Sequence, residues 1–527
     1  MNKIKKYYPI ITIGIISFII SVFLLYQGAF SLIEIKLYDL KFRLRGPLDK
    51  KDKDIVLVEI DDHSYNIIPE SYPYPRERIW AKVVDNLAEA GAKVIVFDIQ
   101  FDSKDHYTQS LHKIDTSLCK TCSVYNGDSI FNESIFNAKN KGTEVILAAK
   151  LTIVGHDSTV IVKPTSSIME SNPIIALVDQ EVDLDNINRR YPIFFNTADS
   201  SYTRLYTLAV QTALSYLDLD NGKFYFDDKN KVFKVGGLNI ESYRDEAAFL
   251  INYYGPESNS NYSTFDTYSL SMILADGIFK LDVTQLDDIQ RNMYESYAGL
   301  FINTQMGKPS KILLDSIDNP ITKQMLLDNF DGDNSNSVFK DKIVIIGTSL
   351  QEDHDFNQTP FFIYSGNLHK NYWGINKDKI LLTEEFPMPG IEFHANAIQQ
   401  LIDRTYIQIP TKTLDLSVHS WPYQIPMLIL IVCLILFICH RTSIIIGSIL
   451  TLLSMLIWFS VSMGLFINDQ FWLFNYLFSS ISAPSPDDTL IMLPVFFPIA
   501  TMFITYGVDL CYKLVIEQKD KRFLKDT

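Results

Sequence analysis

The chain has few basic residues for its length. Its 527 residues include 47 lysines and arginines against 62 aspartates and glutamates, a formal net charge of −15. Nucleic-acid binding needs a basic face that neutralises phosphates. The charge balance therefore argues against a nucleic-acid partner.

Sequence patterns of common enzyme classes are also missing. The chain shows no glycine-rich phosphate loop, no pairing of a nucleophile with a base, no long internal repeat and no low-complexity tract. It has only five cysteines. Three of them, Cys433, Cys439 and Cys511, lie in apolar segments, where a thiol is usually a small packing residue. Catalysis by the polar part of the chain is not expected.

Long apolar runs are present at both ends. Residues 9–30 are uncharged and mostly apolar and follow the lysine-containing residues 1–8. They are long enough to cross a bilayer core of roughly 30 Å. A cleaved signal peptide has the same basic start, but its apolar part is usually shorter and ends at a small-residue cleavage site. Because residues 32–45 continue as an amphipathic helical pattern, we predict an uncleaved transmembrane helix.

The last quarter of the chain contains three more candidate spans, residues 423–440, 443–467 and 490–511, followed by a charged helix over 512–527. Four spans place both termini on one side of the membrane, and both termini are rich in lysine. The positive-inside rule makes that side cytoplasmic. The polar region, residues 31–415, is then outside the cytoplasm; a cytoplasmic domain with the reverse topology is the alternative.

The polar region opens with a βαβ pattern over residues 54–102. Two apolar strands, 55–60 and 93–98, flank a helical pattern over 78–90 that ends at Gly91. Further strands are predicted at 145–154, 248–253 and 342–349, with helices at 206–217 and 391–402 and polar insertions at 103–141 and 256–335. We predict an α/β domain, a mixed or mostly parallel sheet with flanking helices, joined to four α-helical membrane spans.

Polar residues follow three of the predicted strands, namely Asp61, Asp62, Asp98, Thr348 and Ser349. If the strands are parallel neighbours, these residues meet at the carboxyl edge of the sheet, where open α/β sheets bind ligands. Carboxylates there could hold a cation or an amine, or orient a polar ligand. The alternative is that they cap the following helices and turns.

Other candidate residues each have a structural and a functional interpretation. Arg76 or Arg78 is expected to pair with Asp61 or Asp62, either structurally or as a ligand clamp. The residues at 352–355 include metal-ligand types, but adjacent residues seldom all face one ion, so no metal site is predicted. His394 is expected to pack or cap locally.

The pair Cys119 and Cys122 forms a C-x-x-C in the first polar insertion. In an oxidising compartment a local disulfide is the expected state. A redox site is disfavoured because the pair does not follow a strand and open a helix, and zinc would need two further ligands that are not evident.

Several of these motifs together resemble one known family. The residues are IDD at 60–62, PYPR at 73–76, GAKVIVFDI at 91–99, KDKIVIIGT at 340–348 and MPGIEFHANA at 388–397, with LYDLKFRLR upstream at 37–45. In this order, and with this membrane layout, they resemble the CHASE2 domain, an extracytoplasmic sensor module of bacterial signalling proteins. The resemblance covers roughly residues 31–415, and the large insertions depart from the compact pattern of the family.

The resemblance implies a function. CHASE2 proteins typically carry a cytoplasmic output domain, and residues 515–527 look like the helix that precedes a class III adenylate/guanylate cyclase domain. We therefore expect a bacterial inner-membrane sensor, with both termini cytoplasmic, that regulates such a cyclase. The cyclase would bring two divalent metal ions of its own, whereas no cofactor is expected within these residues, and its dimeric active site implies a homodimer. Expected partners are membrane lipid and an extracytoplasmic ligand or protein. A histidine kinase or diguanylate cyclase output, or an envelope-binding protein without enzymatic output, are the alternatives.

Overall fold

The computed structural model describes residues 2–48, 53–68, 70–106, 126–154, 158–183, 185–196, 204–220, 222–228, 232–243, 247–258, 262–274, 337–353, 355–363, 387–408, 421–467 and 490–526. The chain divides into two compact units. One contains residues 50–362 and 386–404, here called the sheet unit. The other contains residues 1–49, 363–385 and 405–527, here called the helical unit.

The strands, in chain order, are β1 (Ile55–Ile60), β2 (Val94–Phe97), β3 (Glu144–Val154), β4 (Ser158–Val162), β5 (Ile174–Leu177), β6 (Arg190–Pro192), β7 (Phe194–Asn196), β8 (Arg204–Tyr206), β9 (Phe224–Asp227), β10 (Val232–Val235), β11 (Leu238–Glu241), β12 (Ala248–Leu250), β13 (Asp266–Ser269), β14 (Ile343–Thr348), β15 (Phe356–Asn357), β16 (Met388–Pro389), β17 (Ile407–Gln408) and β18 (Leu490–Ile491). The helices are α1 (Asn2–Tyr26), α2 (Ser31–Arg45), α3 (Asp62–Ile67), α4 (Ala81–Glu89), α5 (Gly127–Asn140), α6 (Ser166–Met169), α7 (Leu208–Tyr216), α8 (Leu270–Leu274), α9 (Gly390–Asp403), α10 (Trp421–Arg441), α11 (Ile444–Ile467) and α12 (Phe496–Asp526).

A seven-stranded sheet forms the centre of the sheet unit, in the order β13-β1-β14-β2-β3-β4, with β5 also pairing with β3. Only β4 is antiparallel to its neighbour. The predicted βαβ unit is present, but β1 and β2 are not adjacent. β14 lies between them and pairs in parallel with both. All four residues of β2 are buried, as the continuous apolar run predicts.

The helix after the proline-rich loop begins earlier than its apolar pattern indicates. A π-type turn, Arg76–Trp80, leads directly into α4. Val83, Val84 and Leu87 of α4 are fully buried in the core of the sheet unit. The helix ends where predicted, since Gly91 adopts a positive φ of 86° that favours glycine.

The prediction of a polar insertion over residues 103–141 is wrong at its carboxyl end. Residues 127–140 form α5, which packs in the same core through Phe131, Ile135 and Ala138. The side chain of Asn126 caps this helix by accepting from Ser129 N–H. The apolar positions have helical spacing, but the many polar residues between them obscured the pattern.

Three helices in the described part of the helical unit are long and apolar enough to cross a membrane: Tyr8–Tyr26, Ile444–Ile467 and Phe496–Ile516. The apolar part of α10, Ile425–Arg441, is shorter. The last helix begins at Phe496, whereas the sequence pattern placed the start of this span at residue 490. The difference arises because Leu490–Ile491 form β18, which pairs with β17.

Candidate functional site

The carboxyl ends of β1, β14 and β2 lie side by side at one edge of the sheet. Ile60 of β1 is in register with Thr348 of β14, and the Asp98 N–H donates to the Ile346 carbonyl at 2.8 Å. Asp61, Asp98, Thr348 and Ser349 therefore follow three parallel neighbours, as the sequence prediction required. Their side chains nevertheless have different surroundings.

Asp61 is a helix cap. Its carboxylate accepts from the Ser64 N–H of α3 at 2.8 Å and from the Ser269 hydroxyl at 2.6 Å. Asp62 is exposed in the first turn of the same helix, and its carbonyl accepts from the Asn66 amide at 2.7 Å. The capping interpretation accounts for the contacts of Asp61.

Thr348 and Ser349 also make local contacts. The Thr348 hydroxyl donates to the Asp353 carboxylate at 2.6 Å and accepts from Leu350 N–H at 3.2 Å, which closes the turn after β14. The Ser349 side chain hydrogen-bonds to Glu59, a residue of β1 whose pKa is raised to about 7, chiefly by burial. Ser349 thus contacts Glu59, one of several buried acids that sequence reasoning missed.

Asp98 has no such local role. Its carboxylate oxygen lies 3.6 Å from Nε2 of His394, and the two side chains are only 9% and 1% exposed. That separation is too long for a good hydrogen bond. Burial raises the pKa of Asp98 to about 7 and lowers the pKa of His394 to about 4. His394 is therefore neutral at physiological pH.

Tyr191 decides which nitrogen of His394 carries the proton. The Tyr191 hydroxyl lies 2.5 Å from Nδ1 of His394 and accepts from Ala209 N–H at 3.2 Å. A phenol has one proton to donate, and since its oxygen already accepts from the amide, that proton goes to Nδ1. The neutral ring then carries its own proton on Nε2, which faces Asp98. His394 is buried and packs against Tyr191 and Phe393, in agreement with the expectation of local packing, whereas its hydrogen bond to Tyr191 was not predicted.

Two glycines bring α9 close to the sheet at this point. A Cβ on Gly347 of β14 would collide with the Ile391 side chain and lie 3.3 Å from the Asp98 Cβ. A Cβ on Gly390 would collide with the Asp355 carboxylate. The glycines in the motifs IIGT and MPGIEFHAN therefore permit the close approach that places His394 beside Asp98.

Asp355 and Glu392 complete the arrangement. Burial, and then the charge on Asp98, raise the pKa of Asp355 to about 6. Glu392 is fully buried on α9 and accepts from the Ser258 N–H at 2.9 Å and from the Ser258 hydroxyl at 2.7 Å. Burial raises its pKa to about 8 despite these bonds. We call the following set the edge cluster: Glu59, Asp98, Tyr191, Asp355, Glu392 and His394.

A feature of the sequence could have revealed α9 as a source of this cluster. The prediction placed only an apolar stripe of the helix inward, but its polar residues Glu392, His394, Asn396, Gln399 and Gln400 are buried as well. No lysine or arginine occurs between Gly390 and Ile402. A helix without cations has no obvious solvent face, so its polar residues are expected to find partners inside the fold.

The predicted pairing of Arg76 or Arg78 with Asp61 or Asp62 is wrong. Arg76 is buried and forms an ion pair with Asp128 of α5. Arg78 pairs instead with Glu70 at 3.0 Å. The pair ties the start of the helix after the proline loop to α5. Asp128 also accepts from the Ser167 hydroxyl of α6 at 3.0 Å. Its geometry is that of a structural ion pair and not of a ligand clamp.

Some predicted sites lie outside the described residues, namely the cysteine pair Cys119 and Cys122 and the imidazole of the 352–355 group, His354. Among the residues that the structure describes, no group of three His, Cys, Asp or Glu side chains could hold a metal ion. The edge cluster is therefore best described as a buried set of proton-binding groups.

A comparison with protein families gives a direct result. The model of the CHASE2 domain matches residues 15–439. The chain belongs to the CHASE2 family. The match begins inside α1 and ends inside α10, so it includes the whole sheet unit. CHASE2 domains are extracytoplasmic sensors with membrane helices, and this protein is a membrane protein with a sensor domain.

No curated protein and no solved structure matched the chain.

Proposed function

We propose that this CHASE2 protein senses a signal outside the cytoplasm and transmits it to a cytoplasmic class III adenylate/guanylate cyclase. The observation that carries the proposal is the edge cluster, a group of buried ionisable side chains at the ligand-binding edge of a parallel sheet. Buried carboxyl groups with raised pKa values are more common at functional sites than in purely structural cores.

The membrane arrangement is part of this proposal. We propose four spans, with α10 as the second, both termini in the cytoplasm and the sheet unit outside, in a bacterial inner membrane. The basic residues near both termini support this orientation. The apolar part of α10 has fewer residues than the other spans. A short span can still cross the bilayer when the bilayer thins locally or when polar side chains at the helix ends extend to the interface.

The route of the signal starts from α9, which carries Glu392 and His394 into the edge cluster. A ligand that contacts the edge cluster changes the relative free energies of alternative positions of α9. A change in the protonation of the cluster does the same. In the sequence, residues 404–420, which include β17, lie between α9 and α10. Such coupling requires a signal that binds two states of the protein with different affinity.

The output end of the route is α12. This helix has 31 residues and continues without interruption from its apolar part into the charged residues up to Asp526. An unbroken helix can transmit a rotation or a shift of the span to a domain attached beyond it. Class III cyclases form their active sites between two protomers, so we propose a homodimer in which paired α12 helices change the spacing of the cyclase domains.

The topology can be tested with two fusions. Alkaline phosphatase joined after residue 250 should be active, because it folds only outside the cytoplasm, and a green fluorescent protein joined after residue 527 should be fluorescent. An inactive phosphatase together with a fluorescent protein at the carboxyl end would contradict the extracytoplasmic position of the sheet unit.

The signalling role can be tested with chimeras in which residues 1–527 are joined to a class III cyclase domain, a histidine kinase or a diguanylate cyclase. With the cyclase, Asp98→Asn and His394→Gln should change cyclic AMP levels, whereas Glu133→Gln on the exposed face of α5 should not. Levels that do not differ among these proteins, when all fold, would refute signalling through the edge cluster. A response only in the kinase or diguanylate cyclase chimera would replace the proposed output.

A further inference from the structure

A second site lies in the sheet unit, away from the carboxyl edge. It is a cavity of about 380 Å³ lined by residues before and at the start of β5, by β8, by the first turns of α7 and by the start of β9. β5 runs parallel to β3, so its first residues lie at the amino end of the sheet strands. The cavity and the edge cluster are therefore at opposite ends of the parallel strands.

The cavity wall is mixed, and its exposed surface is more polar than apolar. Pro173, Ile175, Leu205 and Phe224 supply the apolar part. Arg204 is the one charged side chain among the described residues that line the cavity. A concave wall that combines apolar side chains with a small number of placed polar groups can bind a small polar molecule.

The guanidinium of Arg204 is held in a fixed orientation. Its Cζ lies 3.5 Å from the centroid of the Phe224 ring and 4.8 Å from that of Phe194. Contact with two aromatic rings that are nearly perpendicular to each other restricts the guanidinium, whose N–H groups can donate to a ligand in the cavity. Since the guanidinium group is held in place before binding, little side-chain entropy is lost when a ligand binds.

Arg204 forms no ion pair with a carboxylate among the described residues, where its contacts are with Phe194, Phe224 and Tyr206. Its Nε is shielded from solvent and has no hydrogen-bond partner in the part of the chain that the structure describes. The guanidinium hydrogen-bonds to the Tyr206 hydroxyl, a neutral group. Arg204 is half-buried. A half-buried cation that has no carboxylate partner among the described residues favours an anion in the adjacent cavity.

Two neutral polar side chains share the cavity wall with Arg204. Tyr206 and Gln211 are 8% and 6% exposed, and both line the cavity. They can orient a ligand without adding charge. A single cation matches one negative charge, whereas phosphate sites usually combine several cations or backbone N–H groups.

We propose that this cavity binds a small organic monocarboxylate. The carboxylate pairs with the Arg204 fork beside the Tyr206 hydroxyl, and the apolar body of the ligand lies against Ile175, Leu205 and Phe224. The Gln211 amide contacts a polar substituent of the ligand. The proposal concerns binding alone, so it can fail without affecting the proposed signalling role, and the reverse also holds.

The test uses the full-length protein in nanodiscs with benzoate as the probe and benzamide as its uncharged analogue. Saturation-transfer NMR and calorimetric titration should show saturable binding of benzoate at about millimolar concentration, which is reasonable for a ligand of this size. Benzamide should bind at least about tenfold more weakly, since it lacks the charge.

Arg204→Gln should weaken benzoate binding by about 30-fold or more, and Arg204→Lys should restore part of it because the charge returns without the fork. Tyr206→Phe removes only a hydroxyl and serves as the decisive variant if Arg204→Gln does not fold; it should weaken binding about threefold to tenfold. Lys234→Gln, at an exposed position of β10, is the matched control and should bind benzoate with the same affinity as the wild-type protein.

Three outcomes would overturn the proposal. One is the absence of saturable binding of benzoate, phenylacetate and butyrate up to about 10 mM. Another is unchanged benzoate affinity in a folded Arg204→Gln protein, or in Tyr206→Phe if the arginine variant does not fold. The third is displacement of benzoate by inorganic phosphate at equal concentration, which would make the site a general anion site and not a monocarboxylate site.

Discussion

Replacing Glu392 by glutamine should make the stability of the sheet unit less dependent on pH. Glu392 is fully buried, and burial raises its pKa from 4.5 to about 8. Between these values the folded chain keeps the proton while the unfolded chain has lost it. Stability is therefore greatest at low pH and decreases as the pH rises through this window.

The magnitude follows from the size of the shift. Each pH unit inside the window lowers the free energy of unfolding by about 1.4 kcal/mol for one group, so raising the pH from 5 to 7 lowers it by about 3 kcal/mol. Glutamine has the shape of the protonated acid. Its carbonyl can take the place of Oε1 of Glu392, which accepts from both the Ser258 N–H at 3.0 Å and the Ser258 hydroxyl at 2.7 Å. Glu392→Gln should match the original chain within about 1 kcal/mol at pH 5 and exceed its stability at pH 8.

The other shifted groups remain in both proteins, so the difference reports Glu392 together with its charge interactions with Glu59 and Glu257. Glu59, Asp98 and Asp355 have raised pKa values and lower the stability in the same direction as the pH rises. His394, with its lowered pKa, acts in the opposite direction. Its neutral folded form loses stability as the pH falls below 6.5, because the unfolded imidazole then takes up a proton.

Pulse proteolysis in urea on the full-length protein, at pH values from 5 to 8, measures the stability of the sheet unit directly. Glu133→Gln is the control, since Glu133 is exposed on α5 and should leave the pH dependence unchanged. If Glu392→Gln keeps the full pH dependence of the original chain, or loses several kcal/mol at every pH, Glu392 is not protonated in the fold and our explanation of the edge cluster is wrong.

Two further predictions concern close packing and helix capping. Gly347→Ala should lower the free energy of unfolding of the sheet unit by about 2 kcal/mol or more, because the new methyl group collides with Ile391. The φ of Gly347 is not positive, so backbone strain does not contribute, and a loss below about 1 kcal/mol in urea denaturation would contradict the collision. The N–H groups of Val495 and Phe496 donate to the Glu34 carboxylate at 2.5 and 2.8 Å. Glu34→Ala removes this acceptor and should speed hydrogen exchange at the start of α12 by about tenfold, equivalent to about 1.4 kcal/mol. Unchanged exchange at these amides would mean that the carboxylate does not cap α12.

The capping of α12 by Glu34 has a wider consequence within the helical unit. Glu34 belongs to α2, which directly precedes the sheet unit in the sequence. Lys41 of the same helix donates to the Leu493 carbonyl at 2.7 Å and to the Ser462 hydroxyl at 3.2 Å. The amphipathic pattern after the first span therefore marks a helix that contacts α11 and the start of α12, and its buried Glu34 and Lys41 are both hydrogen-bonded.

The secondary structure was largely predictable because its causes are local. Continuous apolar runs identified β1, β2 and β14, and helical spacing identified α4, α7 and α9 within a few residues. Gly91 marked the end of α4 correctly because a positive φ is a property of one residue. α5 was missed because its short apolar stripe lies among asparagines and lysines.

The candidate site was predictable only in position. The topology places Asp61, Asp98 and Thr348 at one edge, yet nothing in the sequence near these residues distinguishes the cap from the buried acid. That difference depends on α9, which Gly347 and Gly390 allow to approach the sheet. Arg76 was assigned to the wrong carboxylate for the same reason, since its partner Asp128 lies on a helix that the pattern did not show.

The sequence alone therefore determined the membrane-like apolar runs, the alternation of strands and helices and the family, because each is encoded in short stretches of residue types. The tertiary structure decided which polar groups meet. Tyr191 and His394 are 203 residues apart in the chain and 2.5 Å apart in the fold. The shifted pKa values of the edge cluster arise from burial by elements distant in sequence, and burial is a property of the folded chain.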